Sequence, residues 1–371
     1  MGAALRALTG TTVTSVSTTT HQSTSEQAKS ELIDKAIALA RAGKGTGGPP
    51  HDQVAELVRA YYRHVAPEDL VDRSDVDVYG AFAAHYKLAS IRPQGTAQVR
   101  VSTPTLAEQG WSASGHSVVE VVVDDMPFLV DSLTMELSRQ LRDVHVVIHP
   151  GFDVVRDITG VLQAAQPVPD GALEPEGEAV RESWMHVEID RLPDGDDPDA
   201  IVEDIQRVLR DVREAVEDWR KMHAKVEEIV ADLRDDPPPL NAEEVRQAAD
   251  LLEWLGDEHF TFLGYKEYKL EVRGDDEYLR AVPGTGLGIL RADQEMSESF
   301  GRLPDAVKAK AREKTLLVLA KANSRATVHR PAYLDYVGVK TFDAAGEVDG
   351  ERRFLGPVSY THLTLPTNRE V

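Results

Sequence analysis

The hydrophobic period along the middle of the chain changes twice, and this change constrains the fold more than any other feature. Between residues 97 and 123, "AQVRVSTP" and "SVVEVVV" contain alternating or unbroken β-branched residues, which is typical of strands. Next, "PFLVDSLTMELSRQL" repeats leucine every four residues, a helical period, before "VHVVIHPGFDVV" and "WMHVEID" return to strand patterns. The order strand, helix, strand, strand, then a long helix from about residue 197 predicts the β-α-β-β-α part of a ferredoxin-like sandwich.

The long helix carries a second periodic feature. Its apolar residues alternate spacings of four and three, which is the seam of a coiled coil. The seam consists of Ile205, Leu209, Val212, Val216, Trp219, His223, Val226, Val230 and Leu233. From residue 198 to 234 the helix would extend about 55 Å at 1.5 Å per residue, which is longer than one small sheet. We therefore expect it to project and to pair with another helix.

Helical patterns precede this region, and a second α+β region follows it. "SEQAKSELIDKAIALARAG" and "HDQVAELVRAYYRHV" place apolar residues three and four apart, which predicts a helical region at 26–95. After "DDPPP", Asn241 and Glu244 form a capping-box pattern, and the strand-like segments beyond it end in a hairpin around "AAGEVDG". The predicted fold class is α+β, with an ACT-like α/β domain and its long helix at 96–236 and a second, incomplete α+β domain at 242–356.

The two ends of the chain differ from the rest. Residues 1–25 contain no Asp or Glu and are rich in Ser and Thr, which predicts a disordered leader. A transit peptide is the alternative, but Arg6 alone would supply its positive charge. The last residues, 357–371, read "PVSYTHLTLPTNREV" and resemble nothing that comes before them. We expect a non-native tail there, with a natural divergent C-terminus as the alternative.

Composition excludes several classes of function. The formal net charge of -22 opposes binding to nucleic acid or to anionic membranes, because both need clustered Lys and Arg. No run approaches the roughly 20 apolar residues of a membrane span, and the N-terminus lacks the apolar core of a secretion signal. The chain has no cysteine, so disulfides and thiolate metal sites cannot form, and we expect a reducing compartment, the cytoplasm.

Two motifs suggest cofactor or metal sites but lack what those sites require. The glycines of "GTGLGIL" at 284–290 alternate and run into a β-like segment, whereas the dinucleotide fingerprint lies between a strand and a helix. His145 and His149 lie in a Val-rich strand pattern, where their rings would be about 13 Å apart, too far for one metal ion. Further histidines that could join one of them are His116, His186 and His223. Packed histidines are the expected outcome, and we predict no catalytic, cofactor-binding or metal-binding residue.

The loop between the first buried strand and the helix after it is the strongest candidate site. It comprises Asp124, Asp125, Met126, Pro127 and Phe128. The N–H groups and dipole of a helix N-terminus favour a carboxylate from a side chain or from a ligand, and Pro127 fits the first helical turn. Helix capping by the aspartates is the alternative to ligand binding. Acid–base chemistry by the pair lacks a third group at a readable spacing.

The motifs together resemble a known family. Strand, Asp-x-Pro and apolar helix resemble an ACT domain, the amino-acid-sensing module of many metabolic enzymes. More specifically, "VVVDDMPFLVDSLTMEL", "WMHVEIDRL", "LLEWLGDEHFTFLGY", "GILR", "KANSRATVHRPAYLDYVGVK" and "GERRFLG" resemble the N-terminal region of the large bacterial NAD-specific glutamate dehydrogenases. The resemblance extends over most of residues 26–356. In ligand-binding ACT domains a glycine usually follows the proline, and here Phe128 occupies that position.

The resemblance implies the function of a longer parent protein. The parent would deaminate L-glutamate oxidatively to 2-oxoglutarate and ammonia, with NAD as its cofactor and its dehydrogenase domain far downstream. This chain would be a catalytically inert regulatory and assembly segment. Its implied partners are the rest of the parent chain, further copies in a homo-oligomer and a possible amino-acid effector. The alternatives are a stand-alone ACT-type amino-acid sensor and a helical oligomerisation scaffold.

Overall fold

The computed structural model describes residues 16–43, 48–169, 171–273, 276–291 and 311–358. The chain divides into two compact units, of which the first comprises Met1–Asp125 with Asp143–Asp199. The second unit comprises Met126–Arg142 with Ala200–Val371. The segment 96–236, which the sequence predicts as one domain, therefore contributes to both units.

Helices α1 (Val16–Arg41), α2 (Val54–Tyr61) and α3 (Asp75–Ala89) begin the first unit, with a 3₁₀ turn at Pro67–Asp69. They confirm the two helical patterns of the predicted region at 26–95. Helix α1 starts inside the predicted leader at 1–25, so the prediction of disorder is wrong for the last part of that leader. Each Ser or Thr lowers helix stability by only a fraction of a kcal/mol, and the strong helical segment beyond them extends back through them. Residues 1–15 lie outside the described residues.

An antiparallel sheet of six strands follows in the first unit. The strands are β1 (Gln98–Ser102), β2 (Ser117–Asp124), β3 (Val144–Ile148), β4 (Gly151–Arg156), β5 (Leu162–Pro167) and β6 (Val180–Ile189). Their order is β1-β2-β6-β4-β5, and β3 also pairs with β6. The predicted strands form, but the position beside β2 is held by the preceding strand β1, where a ferredoxin-like fold would place a strand that follows the second helix.

One face of this sheet packs against the N-terminal helices. Trp184 of β6 and Val122 of β2 share a buried core with Tyr61 of α2 and Phe82 of α3. The valines on the opposite face of β2, such as Val121, are buried as well. Burial on both faces explains why the sequence of β2 is an unbroken apolar run instead of an alternating one.

In the part of the second unit that the structure describes, three helices are complete and a second antiparallel sheet is present. The helices are α4 (Leu129–Arg139), α5 (Pro198–Asp235) and α6 (Ala242–Trp254), which continues into a π-helical turn at Leu255–His259. The strands are β7 (Gly264–Arg273), β8 (Asp276–Ala281), β9 (Leu287–Gly288), β10 (Leu317–Arg325), β11 (Tyr333–Phe342) and β12 (Val348–Gly356). Their order is β10-β11-β12-β7-β8, with β9 on β7, and β11 and β12 form the predicted hairpin.

The capping box predicted for α6 is half correct. The Asn241 side chain accepts a hydrogen bond from the Glu243 N–H at 2.8 Å, as an N-cap should. Glu244 instead accepts from the Leu316 N–H at 2.8 Å. Its carboxylate therefore ties the helix start to the segment that leads into β10.

Helix α5 has the predicted length, but its buried stripe departs from the predicted seam. In the middle of the helix Ala215, Asp218 and Met222 are buried, while Trp219 is 47 % exposed. Asp218 accepts hydrogen bonds from the Gly288 N–H at 3.0 Å and from Arg291 Nε at 2.8 Å, which turns the Asp218 side of the helix inward. The expectation of a projecting helix is wrong, because the C-terminal half of α5 shares a core with α6 and with residues of the second sheet.

The start of the predicted non-native tail continues the packed structure. The Thr261 N–H donates to the Pro357 carbonyl at 3.0 Å, and the Val358 N–H donates to Asp335 Oδ2 at 3.0 Å. Strand β12, which precedes these residues, is paired on both sides, with β11 and with β7. The rest of the tail, 359–371, lies outside the described residues.

Candidate effector loop and buried polar clusters

The first residue of the predicted loop, Asp124, ends β2 and belongs to a buried ion-pair cluster. Arg92 is 1 % exposed and donates from Nη2 to Asp124 Oδ1 at 2.6 Å and to Glu182 Oε1 at 2.7 Å. Arg156 donates to both oxygens of Glu182, at 2.6 and 2.8 Å, and the Trp184 indole donates to Glu182 Oε2 at 3.1 Å. Two guanidinium groups thus meet two carboxylates, and we call these four charged residues the arginine cluster. Asp124 serves in it as a counter-ion for Arg92.

The second loop residue, Asp125, belongs to a hydrogen-bonded chain. Ser183 Oγ lies 2.5 Å from Asp125 Oδ1 and 2.9 Å from His149 Nε2. In a hydrolase triad the histidine lies between the serine and the acid, whereas here the serine lies in the middle and donates its proton to Asp125. Burial lowers the pKa of His149, and Asp125 partly opposes that shift. The arrangement fixes the end of β2 against β6 and does not activate a nucleophile.

The remaining loop residues, Met126, Pro127 and Phe128, belong to the second unit. Phe128 has φ = 72° and ψ = 2°, a left-handed conformation that glycine adopts far more readily. The glycine that ACT domains usually carry here thus has a conformational role as well as leaving space. The Phe128 ring lies 4.8 Å from the ring of His329, whose N–H donates to Ser132 Oγ at 3.1 Å.

The predicted start of α4 and its cap are wrong. The helix begins at Leu129, so Pro127 precedes its first turn, and Phe128 at the N-cap makes no side-chain capping bond. Asp125 does not cap α4 either, since its Oδ1 accepts from Ser183. Tertiary contacts, and not a local capping motif, therefore hold the loop.

The histidines that the sequence singles out do not converge on one point. His145 and His116 stack with ring centroids 4.2 Å apart, and each meets a different carboxylate. His145 Nε2 lies 2.8 Å from Asp190 Oδ1, and His116 Nδ1 lies 3.2 Å from Glu188 Oε2. The hydrogen bond from His145 lowers the pKa of Asp190. His149 forms a hydrogen bond with Ser183 instead, and His223, in the second unit, packs at a tilted angle against the ring of Trp219.

A second buried cluster, which the sequence did not predict, lies on the same sheet face. His85 of α3, Glu120 of β2 and His186 of β6 are each 0 % exposed. One ligand atom of each lies within 4.8 Å of the other two. Glu120 and His186 face each other as Cα partners in the β2–β6 ladder. We call these three residues the histidine–glutamate cluster.

Charged and polar neighbours surround the histidine–glutamate cluster. Arg100 donates to Glu120 Oε2 at 2.7 Å, and Tyr61 Oη lies 2.9 Å from His85 Nδ1. Burial, and next the neighbouring His186, lower the pKa of His85 well below its ordinary value, so the ring is neutral at neutral pH. Burial also raises the pKa of Tyr61 well above its ordinary value. The sequence signal that could have revealed the cluster is the single glutamate in the valine run "SVVEVVV".

The glycines at 284–290 serve a tight backbone contact. Gly288 lies in β9 at φ = 58°, and a Cβ there would be 2.1 Å from the Leu263 carbonyl oxygen. Its N–H donates to Asp218, as described above. The segment pairs with β7, so it does not form the strand-to-helix turn of a dinucleotide site.

Comparisons with known proteins point to one family. A model of the ACT1 domain of glutamate dehydrogenase matches residues 57–205, which include the end of α2 and all of α3. The NAD-specific glutamate dehydrogenase of Halomonas elongata is 34% identical over 317 residues, which is 84% of this chain and 19% of that protein. The Pseudomonas aeruginosa enzyme of the same name is 34% identical over 306 residues, 82% of this chain and 18% of that protein.

A more distant relative gives the same result. The NAD-specific glutamate dehydrogenase of Mycobacterium tuberculosis is 27% identical over 314 residues, 83% of this chain and 17% of that protein. The chain therefore spans about a fifth of the length of the curated relatives it matches. Among the described residues, no helix combines the length and the apolar character needed to cross a membrane.

Proposed function

Since the chain contains the ACT1 domain of glutamate dehydrogenases and is related over most of its length to their NAD-specific members, we propose that it is an N-terminal regulatory and assembly segment of such an enzyme. The parent would oxidise L-glutamate with NAD to 2-oxoglutarate and ammonia in the cytoplasm. The observation that carries the proposal is the combination of 84% coverage of this chain with 19% coverage of the relative.

The surface of α5 supports the assembly part of the proposal. Trp219 is 47 % exposed, and its ring contacts that of His223 at a tilted angle, with ring centroids 4.5 Å apart. His223 also lines a groove of about 660 Å³, whose other lining residues include the apolar Trp254 and the charged Glu227, Asp250 and Glu253. A half-exposed aromatic side chain beside a groove of mixed apolar and charged lining favours a protein contact. The rest of the parent chain or a second copy would cover it.

Amino-acid sensing at the loop 124–128 is a narrower prediction, and the loop's contacts favour a structural role. Asp124 and Asp125 each accept a hydrogen bond from a buried partner, and Phe128 occupies the usual glycine position. We expect L-glutamate, L-aspartate and branched-chain amino acids to give no saturable rise in the melting temperature of the chain. A ligand at a hundredfold excess over its Kd would stabilise by about 2.7 kcal/mol. Stereospecific stabilisation that Asp125→Ala abolishes would contradict the structural role.

A domain exchange tests the proposed function. In the Pseudomonas aeruginosa relative, the matching region is replaced by residues 26–356 of this chain, and a second variant lacks that region. We expect the chimera to retain glutamate-dependent NADH formation and the native oligomeric mass, and the deletion variant to lose the native mass or to change the dependence of its rate on glutamate concentration. The 371-residue chain alone should form no NADH from glutamate. A deletion variant with an unchanged mass and an unchanged dependence on glutamate concentration would overturn the proposal.

A further inference from the structure

The histidine–glutamate cluster contains buried polar atoms that lack a partner. Glu120 Oε1 and His186 Nδ1 are both buried and have no hydrogen-bond partner. Leaving one such group unsatisfied costs about 1–3 kcal/mol, and more when it is charged. Two unsatisfied atoms in one cluster of three side chains indicate that a further group completes the site. That group must accept lone pairs, as a cation or a hydrogen-bond donor does.

The hydrogen bonds of the two histidines leave the same ring atom, Nδ1, as the possible metal donor, without a partner in His186 and in contact with the Tyr61 hydroxyl in His85. His186 Nε2 lies 3.4 Å from Glu188 Oε1, and His85 Nε2 lies 3.1 Å from the Val121 carbonyl oxygen. A carbonyl and an ionised carboxylate can only accept, so Nε2 carries a proton in each ring, and the neutral form of each ring then keeps its lone pair on Nδ1. Metal-binding histidines almost always donate their other ring N–H to a carboxylate or a backbone carbonyl in this way.

We propose that His85, Glu120 and His186 bind a divalent transition-metal ion, with Zn²⁺ as the best match. Two neutral imidazoles and one carboxylate are a common zinc ligand set. One ligand atom of each residue lies within 4.8 Å of the other two, and bonds of about 2.0–2.2 Å to a shared ion would draw these atoms closer together. A metal ion on His85 Nδ1 would displace the hydrogen bond between that atom and the Tyr61 hydroxyl, which is 2.9 Å away. Arg100 holds the other oxygen of Glu120 and orients the carboxylate.

The site would be structural, because its ligands connect three elements. His85 lies on α3, Glu120 on β2 and His186 on β6, so one ion would fasten the N-terminal helices to the sheet. The rival occupant is a buried water molecule, which could also bridge Glu120 Oε1 and His186 Nδ1. A bound metal ion would be found in the purified protein by elemental analysis, whereas a bound water molecule would not.

Metal content measures the difference directly. The 371-residue chain is expressed with added zinc, dialysed and analysed for metal, and a second sample is refolded with Co²⁺ and its visible absorption recorded. We expect about one equivalent of zinc per chain, and the absorption bands of a four- or five-coordinate Co²⁺ site. Less than a tenth of an equivalent of either metal would overturn the proposal and leave a water molecule as the occupant.

Substitutions locate the metal. Glu120→Gln keeps the shape of the side chain and an oxygen for Arg100, and His186→Gln removes one imidazole. We expect each to weaken metal binding by at least tenfold. His145→Gln is the control, because it breaks the exposed His116–His145 stack, the competing surface site, and we expect it to bind as the unsubstituted chain does. Metal that remains in both cluster variants, or that is lost in the control, would contradict the assignment.

X-ray absorption of the zinc-loaded unsubstituted chain covers the case in which the cluster variants fail to fold. We expect a spectrum of zinc bound by two imidazole nitrogens together with oxygen donors. His145→Gln should give the same spectrum. A spectrum with oxygen donors alone would overturn the proposal.

Discussion

Two carboxylates lie on the same face of strand β2, Glu120 in the middle of the strand and Asp124 at its end. The side chains that surround them differ. Asp124 faces Glu182 across the ladder with β6, and Glu120 faces His186. In the arginine cluster two guanidinium groups and an indole N–H satisfy the carboxylates. In the histidine–glutamate cluster one oxygen and one nitrogen remain unsatisfied. Buried polar groups require partners, and the protein itself supplies them in the arginine cluster, whereas the histidine–glutamate cluster needs a bound ion to complete them.

The largest expected effect comes from removing one charge of the arginine cluster. Glu182→Gln would leave Arg92 and Arg156 with one full counter-ion, Asp124, in a buried setting. Removing one partner of a buried ion pair costs about 3–5 kcal/mol, and we expect a loss of that order in the free energy of unfolding. Denaturant unfolding measures it, and the exposed Glu178→Gln is the control, expected to change stability by under about 0.5 kcal/mol. If Glu182→Gln lowers the free energy of unfolding by less than about 1 kcal/mol, the charges of the arginine cluster do not depend on one another as described.

The next effect concerns Glu188, which lies beside the histidine–glutamate cluster and accepts from Arg73 at 2.5 and 2.9 Å. Burial alone would raise the pKa of Glu188, but hydrogen bonds from His186 and Arg73 outweigh burial and hold the pKa well below its usual range. A lowered pKa means that the ionised form stabilises the fold above the unfolded pKa of about 4.3 and that this stabilisation is lost as pH falls.

We therefore expect the free energy of unfolding to decrease more steeply between about pH 5 and pH 2 in the unsubstituted chain than in Glu188→Gln. The decrease begins near the pKa of Glu188 in the unfolded chain and continues as the pH falls. Denaturant titrations at several pH values measure the slopes. Parallel slopes would show that Glu188 is not held ionised by its partners.

The sequence predicted elements better than contacts. Strands β2 and β6 and helix α5 follow from local periodicity, which does not depend on the rest of the fold. The start of α4 was mispredicted because the left-handed backbone of Phe128 is set by tertiary contacts. The histidine–glutamate cluster was missed because strand pairing and helix packing bring its members together from distant parts of the chain.

A smaller effect on stability is expected at Phe128, the loop residue with the left-handed backbone. Phe128→Gly removes the ring but relieves the left-handed backbone, whereas Phe128→Ala removes the ring and keeps the strain. We expect the glycine variant to be more stable than the alanine variant by about 1 kcal/mol. Thermal and denaturant unfolding of the two variants measure the difference. An alanine variant that equals or exceeds the glycine variant would contradict the positive φ at this position.

The smallest effect concerns Asp125. Since Asp125 does not cap α4, Asp125→Ala loses the bond from Ser183 and should cost about 0.5–1.5 kcal/mol. Asp125→Asn retains an acceptor oxygen and should cost less than Asp125→Ala. Equal losses for the two variants in denaturant unfolding would mean that the charge, and not the hydrogen bond from Ser183, stabilises the loop.

The zinc dependence of the free energy of unfolding, measured for Glu182→Gln and Glu120→Gln side by side, tests the contrast between the two clusters most directly. We predict that Glu182→Gln is destabilised with and without zinc yet still gains stability when zinc is added, as the unsubstituted chain does. Glu120→Gln should lose that gain. Equal zinc responses in the two variants, or no response in the unsubstituted chain, would contradict the account.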